Sequence, residues 1–193
     1  MRLEILNNGY SLGSQVLFGV IRVVSRRPLP DAAKLVFYRP DFYGGTMKEL
    51  TQETMRGASK WSVGDRELMA AVISDANACA WCIRAHSATA AGAYQDGPLV
   101  ADVLADVGTA PIEEPLRATL LMLQKVTRDN TVDSSDMRAL LTAGVSRDQI
   151  ADALAVGFVF NVTNRLADAF GFSMLDAKGF EVGAKYLLAR GYR

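Results

Sequence analysis

An all-α helical bundle is the fold this sequence predicts, on three observations. Apolar residues recur at helical spacing along most of the chain, alternating strand patterns are scarce, and capping boxes open two of the periodic stretches. The chain has 193 residues, 50% of them hydrophobic, which suits a well-buried core. No Pro/Ser-rich linker interrupts it, so a single domain over 1–193 is expected.

The elements follow in order. Leu12 to Arg26 reads as a helix ended by Pro28 and Pro30, and Asp31 caps a short helix through Tyr38 that Pro40 closes. Thr46 to Ser59 is the next. Ser62 and Asp65 form a capping box, after which Leu68, Met69, Val72, Ile73 and Ala76 trace a helical stripe. Asn77 is read as a break that caps a new helix from Ala78 to about Tyr94. Asp96-Gly97-Pro98 is a turn before a short helix over 99–107. Pro111 opens a longer one through Arg128, with Leu116, Leu120, Leu123 and Val126 on one face. A short helix covers about Ser135 to Ala143. Ser146 and Gln149 begin a long apolar helix to about Phe170, and a last helix spans roughly Glu181 to Ala189. A shift of 82 residues lays Gln149, Asn161, Asn164 and Asp168 over Glu67, Cys79, Cys82 and His86. Two unrelated amphipathic helices explain this better than a degenerate duplication.

Composition narrows the function. Lys plus Arg equals Asp plus Glu at 21 each, so no bulk charge points to nucleic acid or an acidic membrane surface. The apolar run from Val16 to Val24 contains Arg22 and is far shorter than the roughly 20 residues a spanning helix needs. No signal-peptide pattern opens the sequence, which makes the cytoplasm the expected compartment. The partner is read as a small molecule or another protein.

Two cysteines and the single histidine all lie within residues 79 to 86, as Cys79-Ala80-Trp81-Cys82 and His86. A reducing cytoplasm disfavours a purely structural disulfide, so the pair points to redox or metal chemistry. Cysteines three apart at a helix start lie one turn apart, and unpaired N–H groups there favour thiolate. His86, four residues after Cys82, shares its helix face and can accept its proton. By spacing, Cys82 is the better attacking thiol and Cys79 the better resolving partner. In one straight helix Glu67 would lie about 18 Å from Cys79. A fold-back near Asn77 would instead bring Glu67 opposite His86, where it could orient the imidazole. Asp75, on the face of 79, 82 and 86, competes for that role.

From Glu67 to His86 the sequence resembles the alkylhydroperoxidase D core of the carboxymuconolactone decarboxylase superfamily. That family's pattern is a Glu, a C-x-x-C pair and a His four residues after the second Cys. The later segment Phe160-Asn161-Val-Thr-Asn164-Arg165-Leu-Ala-Asp168 is similar to the superfamily's peroxidase-related branch. The likeness spans a core of about 38–175, leaving helical extensions at about 1–30 and 179–193.

The resemblance implies an all-α, AhpD-like, oligomeric thiol-dependent peroxidase, assembling as dimers, trimers or hexamers and needing no cofactor or metal. It implies that Cys82 attacks a hydroperoxide, Cys79 resolves the sulfenic acid, and Glu67 with His86 relays the proton. A dithiol or a protein reductant would restore the thiols. Some members carry a second histidine before the second cysteine; Trp81 stands there instead, which shortens the relay and shapes the pocket.

Other readings stand beside this one. Cys79, Cys82, His86 and Glu67 could ligate zinc, although structural zinc sites usually draw on a second Cys/His pair that this chain lacks. The cysteines could be buried hydrophobes, or a redox sensor that oxidises once and changes its assembly. Lactone-decarboxylating relatives do not rely on the cysteine pair. An open pocket at Cys82 would favour catalysis, a sealed one sensing. Asn161, Asn164, Arg165 and Asp168 are read as a helix–helix hydrogen-bond set, and Met47, Met55, Met69, Met122 and Met174 as core.

Overall fold

A computed structural model describes residues 1–192, with the backbone alone at Phe42 and Tyr43. Eleven α-helices and no strand occur among the described residues: α1 (Ile5–Asn8), α2 (Leu12–Ser25), α3 (Asp31–Tyr38), α4 (Gly45–Arg56), α5 (Val63–Ala76), α6 (Ala80–Tyr94), α7 (Gly97–Ala105), α8 (Glu114–Asp129), α9 (Ser134–Thr142), α10 (Arg147–Phe170) and α11 (Ala177–Arg190). A π-helical turn at Pro40–Gly44, closed by Gly44 N–H on the Arg39 carbonyl, joins α3 to α4. Neither this turn nor α1 is foreseen from periodicity. No helix among the described residues is long and apolar enough to cross a membrane.

The core forms around α5, which packs against α4, α6, α7, α8 and α10. That surrounding explains its composition. A helix covered on all sides is apolar all round rather than on one stripe, and α5 buries Leu68, Met69, Ala70, Ala71, Val72 and Ile73 in succession. Leu120 and Leu123 of α8, Val103 of α7 and Phe160 of α10 complete the cluster. Both capping boxes read from the sequence are present, at Ser62/Asp65 and Ser146/Gln149. The Trp61 indole donates to the Gln149 carbonyl (2.8 Å), tying the start of α5 to α10. Gly64 lies where a Cβ would come within 3.1 Å of the Tyr94 ring, so glycine lets the far end of α6 close against α5.

Several boundaries differ from the sequence reading, each for a local reason. The helix begun near Thr46 stops at Arg56, where Gly57 turns extended and Arg66 Nη1 takes the Thr54 and Gly57 carbonyls. The stretch after Pro111 stays non-helical until Glu114, because Arg117 holds the Val107, Gly108 and Ile112 carbonyls in a loop. Pro115, which has no N–H to lose, then occupies the first turn. The last helix starts earlier, at Ala177, capped by Asp176, which also binds Arg27 at 2.6 Å. The α7 helix likewise begins at Gly97 under an Asp96 cap.

The largest correction is at Asn77, which ends α5 rather than capping α6. Ala78 takes a left-handed conformation (φ 56°), Ala78 N–H bonds the Asp75 carbonyl, and Cys79 N–H bonds the Ser74 carbonyl. This is a Schellman motif, and it leaves Cys79 itself at the N-cap of α6. The corresponding stretch of α10 runs without a break through Phe160, unlike the hairpin at 77–79, so the two segments are not copies of one structural unit.

Candidate functional site

The α5/α6 hairpin sets the register of the site. Ser74 meets Cys79 through the backbone, and seven residues further from the turn on each arm Glu67 meets His86. Glu67 Oε2 lies 2.8 Å from His86 Nδ1. Asp75, the competing carboxylate, points instead towards Arg128 at 3.8 Å near the surface.

Glu67 is fully buried, and its other oxygen is also occupied. Oε1 accepts from Arg56 Nη2 at 2.7 Å and from the Tyr192 hydroxyl at 2.9 Å. Burial pushes the Glu67 carboxyl up, but the His86 hydrogen bond and charge and the Arg56 guanidinium outweigh it and hold it below the ordinary range. An ionised carboxylate can only accept, so Nδ1 carries the imidazole hydrogen and Nε2 is left as acceptor in the neutral ring. The ring packs edge-on against Phe160 (4.4 Å between centroids). Burial, then the charge of Glu67, raises the Tyr192 hydroxyl well above its usual value, so it stays a donor.

Sequence reasoning missed Arg56 and Tyr192. Both come from segments far from the motif, and no local spacing announces them. Arg56 also stacks on the Tyr192 ring (5.1 Å) and reaches the Leu187 carbonyl, while Tyr192 N–H bonds Gln52 Oε1.

The two cysteines are reduced and both 0% exposed, with sulfurs 2.8 Å apart. At that separation one proton serves both after the first ionisation. Hydrogen bonding from Cys82 holds Cys79 below the usual thiol value, despite burial. The same contact, then burial and the charges of Cys79 and Asp168, pushes Cys82 well above it. Of the two sulfurs, Cys79 is thus the one held towards thiolate and Cys82 the one that keeps its proton, so ionising Cys82 calls for a base.

Cys79, Cys82 and Ala167 form a small buried cluster against which Trp81 and Phe172 pack. The Trp81 indole meets Phe172 at 5.5 Å and Phe180 of α11 at 5.8 Å. Beside it lies a cleft of about 300 Å³ lined by Arg2, Ala80, Trp81, Asp168, Phe172 and Met174. The cleft thus abuts the cysteine pair through the two residues between them. Met174, read from the sequence as core, is 49% exposed at this cleft, whereas Met55, Met69 and Met122 are buried.

On the far side, Asn164 Oδ1 accepts from Ser74 Oγ (3.1 Å), and Asn161 Oδ1 accepts from Asn77 Nδ2 (3.0 Å). Arg165 Nη1 folds back onto the Asn161 carbonyl. The Asn164 and Asn161 bonds tie α10 to the end of α5, whereas the Arg165 bond stays within α10. Among the described residues no group of three or more His, Cys, Asp and Glu is arranged to hold a metal.

No protein-family model matches the chain, and no curated protein matches it. Solved structures do share its fold. An uncharacterized peroxidase-related protein from Silicibacter sp. TM1040 superposes with a TM-score of 0.78 at 23% identity, covering 93% of each chain. An alkylhydroperoxidase AhpD core, an uncharacterized peroxidase-related protein from Ralstonia eutropha JMP134, gives 0.75 at 22% identity, covering 91% of this chain and 92% of that one. The fold is AhpD-like, and all-α as its sequence predicts.

Proposed function

We propose that this chain is a cytoplasmic, single-domain thiol oxidoreductase that reduces hydroperoxides through Cys79 and Cys82. The observation carrying this reading is the buried Glu67–His86 contact on the helix that bears Cys82, one turn away. His86 Nε2 takes the Cys82 proton. The Cys82 thiolate attacks the terminal peroxide oxygen, so that an S–O bond forms as the O–O bond breaks. The departing alkoxide receives the proton and leaves as alcohol. Sulfur gives up two electrons and the peroxide gains them. Cys79, already held towards thiolate, attacks the Cys82 sulfenic acid; a disulfide forms and water leaves. A dithiol or a protein reductant returns both electrons. The names borne by the two structures of the same fold, peroxidase-related and alkylhydroperoxidase AhpD core, agree with this chemistry.

The test is peroxide consumption with a dithiol donor. Cys82→Ser abolishes turnover, and Cys79→Ser stops after one equivalent with a trapped Cys82 sulfenate. Full turnover by both variants removes the reading. A trapped sulfenate on Cys79 in Cys82→Ser would reverse the order of the two sulfurs.

The complete burial of both thiols favours a second reading, a redox sensor in which oxidation rearranges an interface. Repeated turnover separates the two, since a sensor oxidises once.

We also infer a homo-oligomer. Helix α2 buries none of its residues and meets the body through Phe18, whose ring touches Tyr10 and Phe37. Leu12, Val16, Val20, Val23 and Val24 are all exposed. A contiguous apolar face of this kind marks an interaction surface.

A further inference from the structure

Helix α11 packs along α6 and ends beside the relay. Gly92 of α6 gives it room, since a Cβ there would come 3.0 Å from the Leu188 side chain. The Leu187 carbonyl accepts from Arg56 Nη2 (3.1 Å). Gly191 then turns the backbone to positive φ (70°), at a point where any Cβ would collide with Gln52 Oε1. That turn lets the Tyr192 N–H reach Gln52 Oε1 (2.7 Å) and the Tyr192 hydroxyl reach Glu67 Oε1 (2.9 Å). A phenol that only anchored α11 would need no more than a carbonyl as acceptor. This one shares the carboxylate oxygen that Arg56 Nη2 already holds at 2.7 Å.

The chemistry of the relay gives that sharing a purpose. Glu67 has to present Oε2 to His86 Nδ1 while the ring turns positive on taking the Cys82 proton. One donor on Oε1 leaves the carboxylate free to pivot about that bond, whereas two donors from different elements fix it. A second cation there would oppose the imidazolium, because Arg56 already places one positive charge in a water-poor site. A neutral hydroxyl adds the hydrogen bond without the charge. Among the described residues, the charged or titratable groups bonded to Glu67 are Arg56 from α4, His86 from α6 and Tyr192. Arg66, its neighbour on α5, turns to the Thr54 and Gly57 carbonyls, and α10 meets the His86 ring with Phe160.

We propose that Tyr192 is a positioning residue of the relay, whose hydroxyl, together with Arg56, holds Glu67 Oε2 on His86 Nδ1 while His86 accepts the Cys82 proton. The proposal rests on the peroxidase reading above. Without the hydroxyl the carboxylate is one donor short, so Glu67 takes up a proton at higher pH and the relay fails sooner on acidification.

The experiment follows single-turnover reduction of hydrogen peroxide by the full reduced chain, in stopped flow, as a function of pH. Tyr192→Phe keeps the ring on which Arg56 stacks and the N–H that Gln52 holds, and removes only the hydroxyl. Its acid limb moves to higher pH by about one unit, the worth of one hydrogen bond to a charged group. Gly191→Ala, which displaces Tyr192 without altering its side chain, moves the limb the same way and adds nothing further in combination with Tyr192→Phe. A mere anchor of α11 would change stability or the plateau rate and leave the acid limb in place. An unmoved limb in Tyr192→Phe overturns the proposal, and so does a double variant whose shift is the sum of the two. Wild type that reduces no peroxide removes the peroxidase reading, and this proposal with it.

Discussion

Glu67→Gln is the substitution whose outcome the site specifies most sharply. Arg56 Nη2 and the Tyr192 hydroxyl both donate to Oε1. The introduced amide must therefore turn its carbonyl oxygen to them and its NH2 to His86 Nδ1. That inverts the hydrogen bond. Nδ1 becomes the acceptor, the ring hydrogen moves to Nε2, and His86 can no longer accept the Cys82 proton. General-base assistance contributes about 10²- to 10⁴-fold, so single-turnover peroxide reduction in stopped flow should fall by that range. ¹⁵N chemical shifts of His86 should report the change of tautomer directly. The Arg56 hydrogen bond also loses its charged acceptor, a loss of about 1.5–3 kcal/mol. A pH signature follows. Folding depresses the Glu67 carboxyl, so its contribution to stability is complete above the unfolded value of 4.5 and is lost as pH falls through the lower folded value. The difference in unfolding free energy between wild type and Glu67→Gln should therefore shrink below pH 4.5. A wild-type rate in Glu67→Gln, with the His86 shifts unchanged, would refute the relay.

Two further expectations follow from the hairpin and from the exposed helix. Ala78 holds a left-handed backbone that glycine adopts without a Cβ clash, so Ala78→Gly should stabilise the fold by about 1 kcal/mol. The check is a higher urea midpoint at unchanged slope, and destabilisation would contradict the strain argument. Val16→Glu combined with Val20→Glu should shift the mass found by light scattering towards that of one chain while helicity is kept. A wild-type protein already monomeric at micromolar concentration would sink the α2 interface.

Much of the site was legible in spacing. Residues 79, 82 and 86 must share a face of any helix that holds them, and a fold-back near 77 must bring Glu67 to His86, because hairpin partners stand equally far from the turn. The nature of the turn was less legible. Asn77 looks like an N-cap, but the carbonyls ending α5 are met by a Schellman motif centred on Ala78, a residue type with no strong left-handed preference. Arg56 and Tyr192 could not be read at all, since they converge on Glu67 from 11 and 125 residues away. The burial of the thiols was also hidden, because Phe172 and Phe180 reach Trp81 from the chain's last third.

The sequence by itself determined what repeats locally: helical periodicity, the two capping boxes, and a cysteine pair with its histidine one turn on. Each depends on residues within a turn or two of one another, where backbone geometry leaves few choices. Only the tertiary structure decided the electrical state of those groups. Whether Glu67 is ionised and which nitrogen of His86 carries the hydrogen depend on donors and burial supplied by distant segments. Helical spacing sets which groups can meet, and packing sets what they do when they meet.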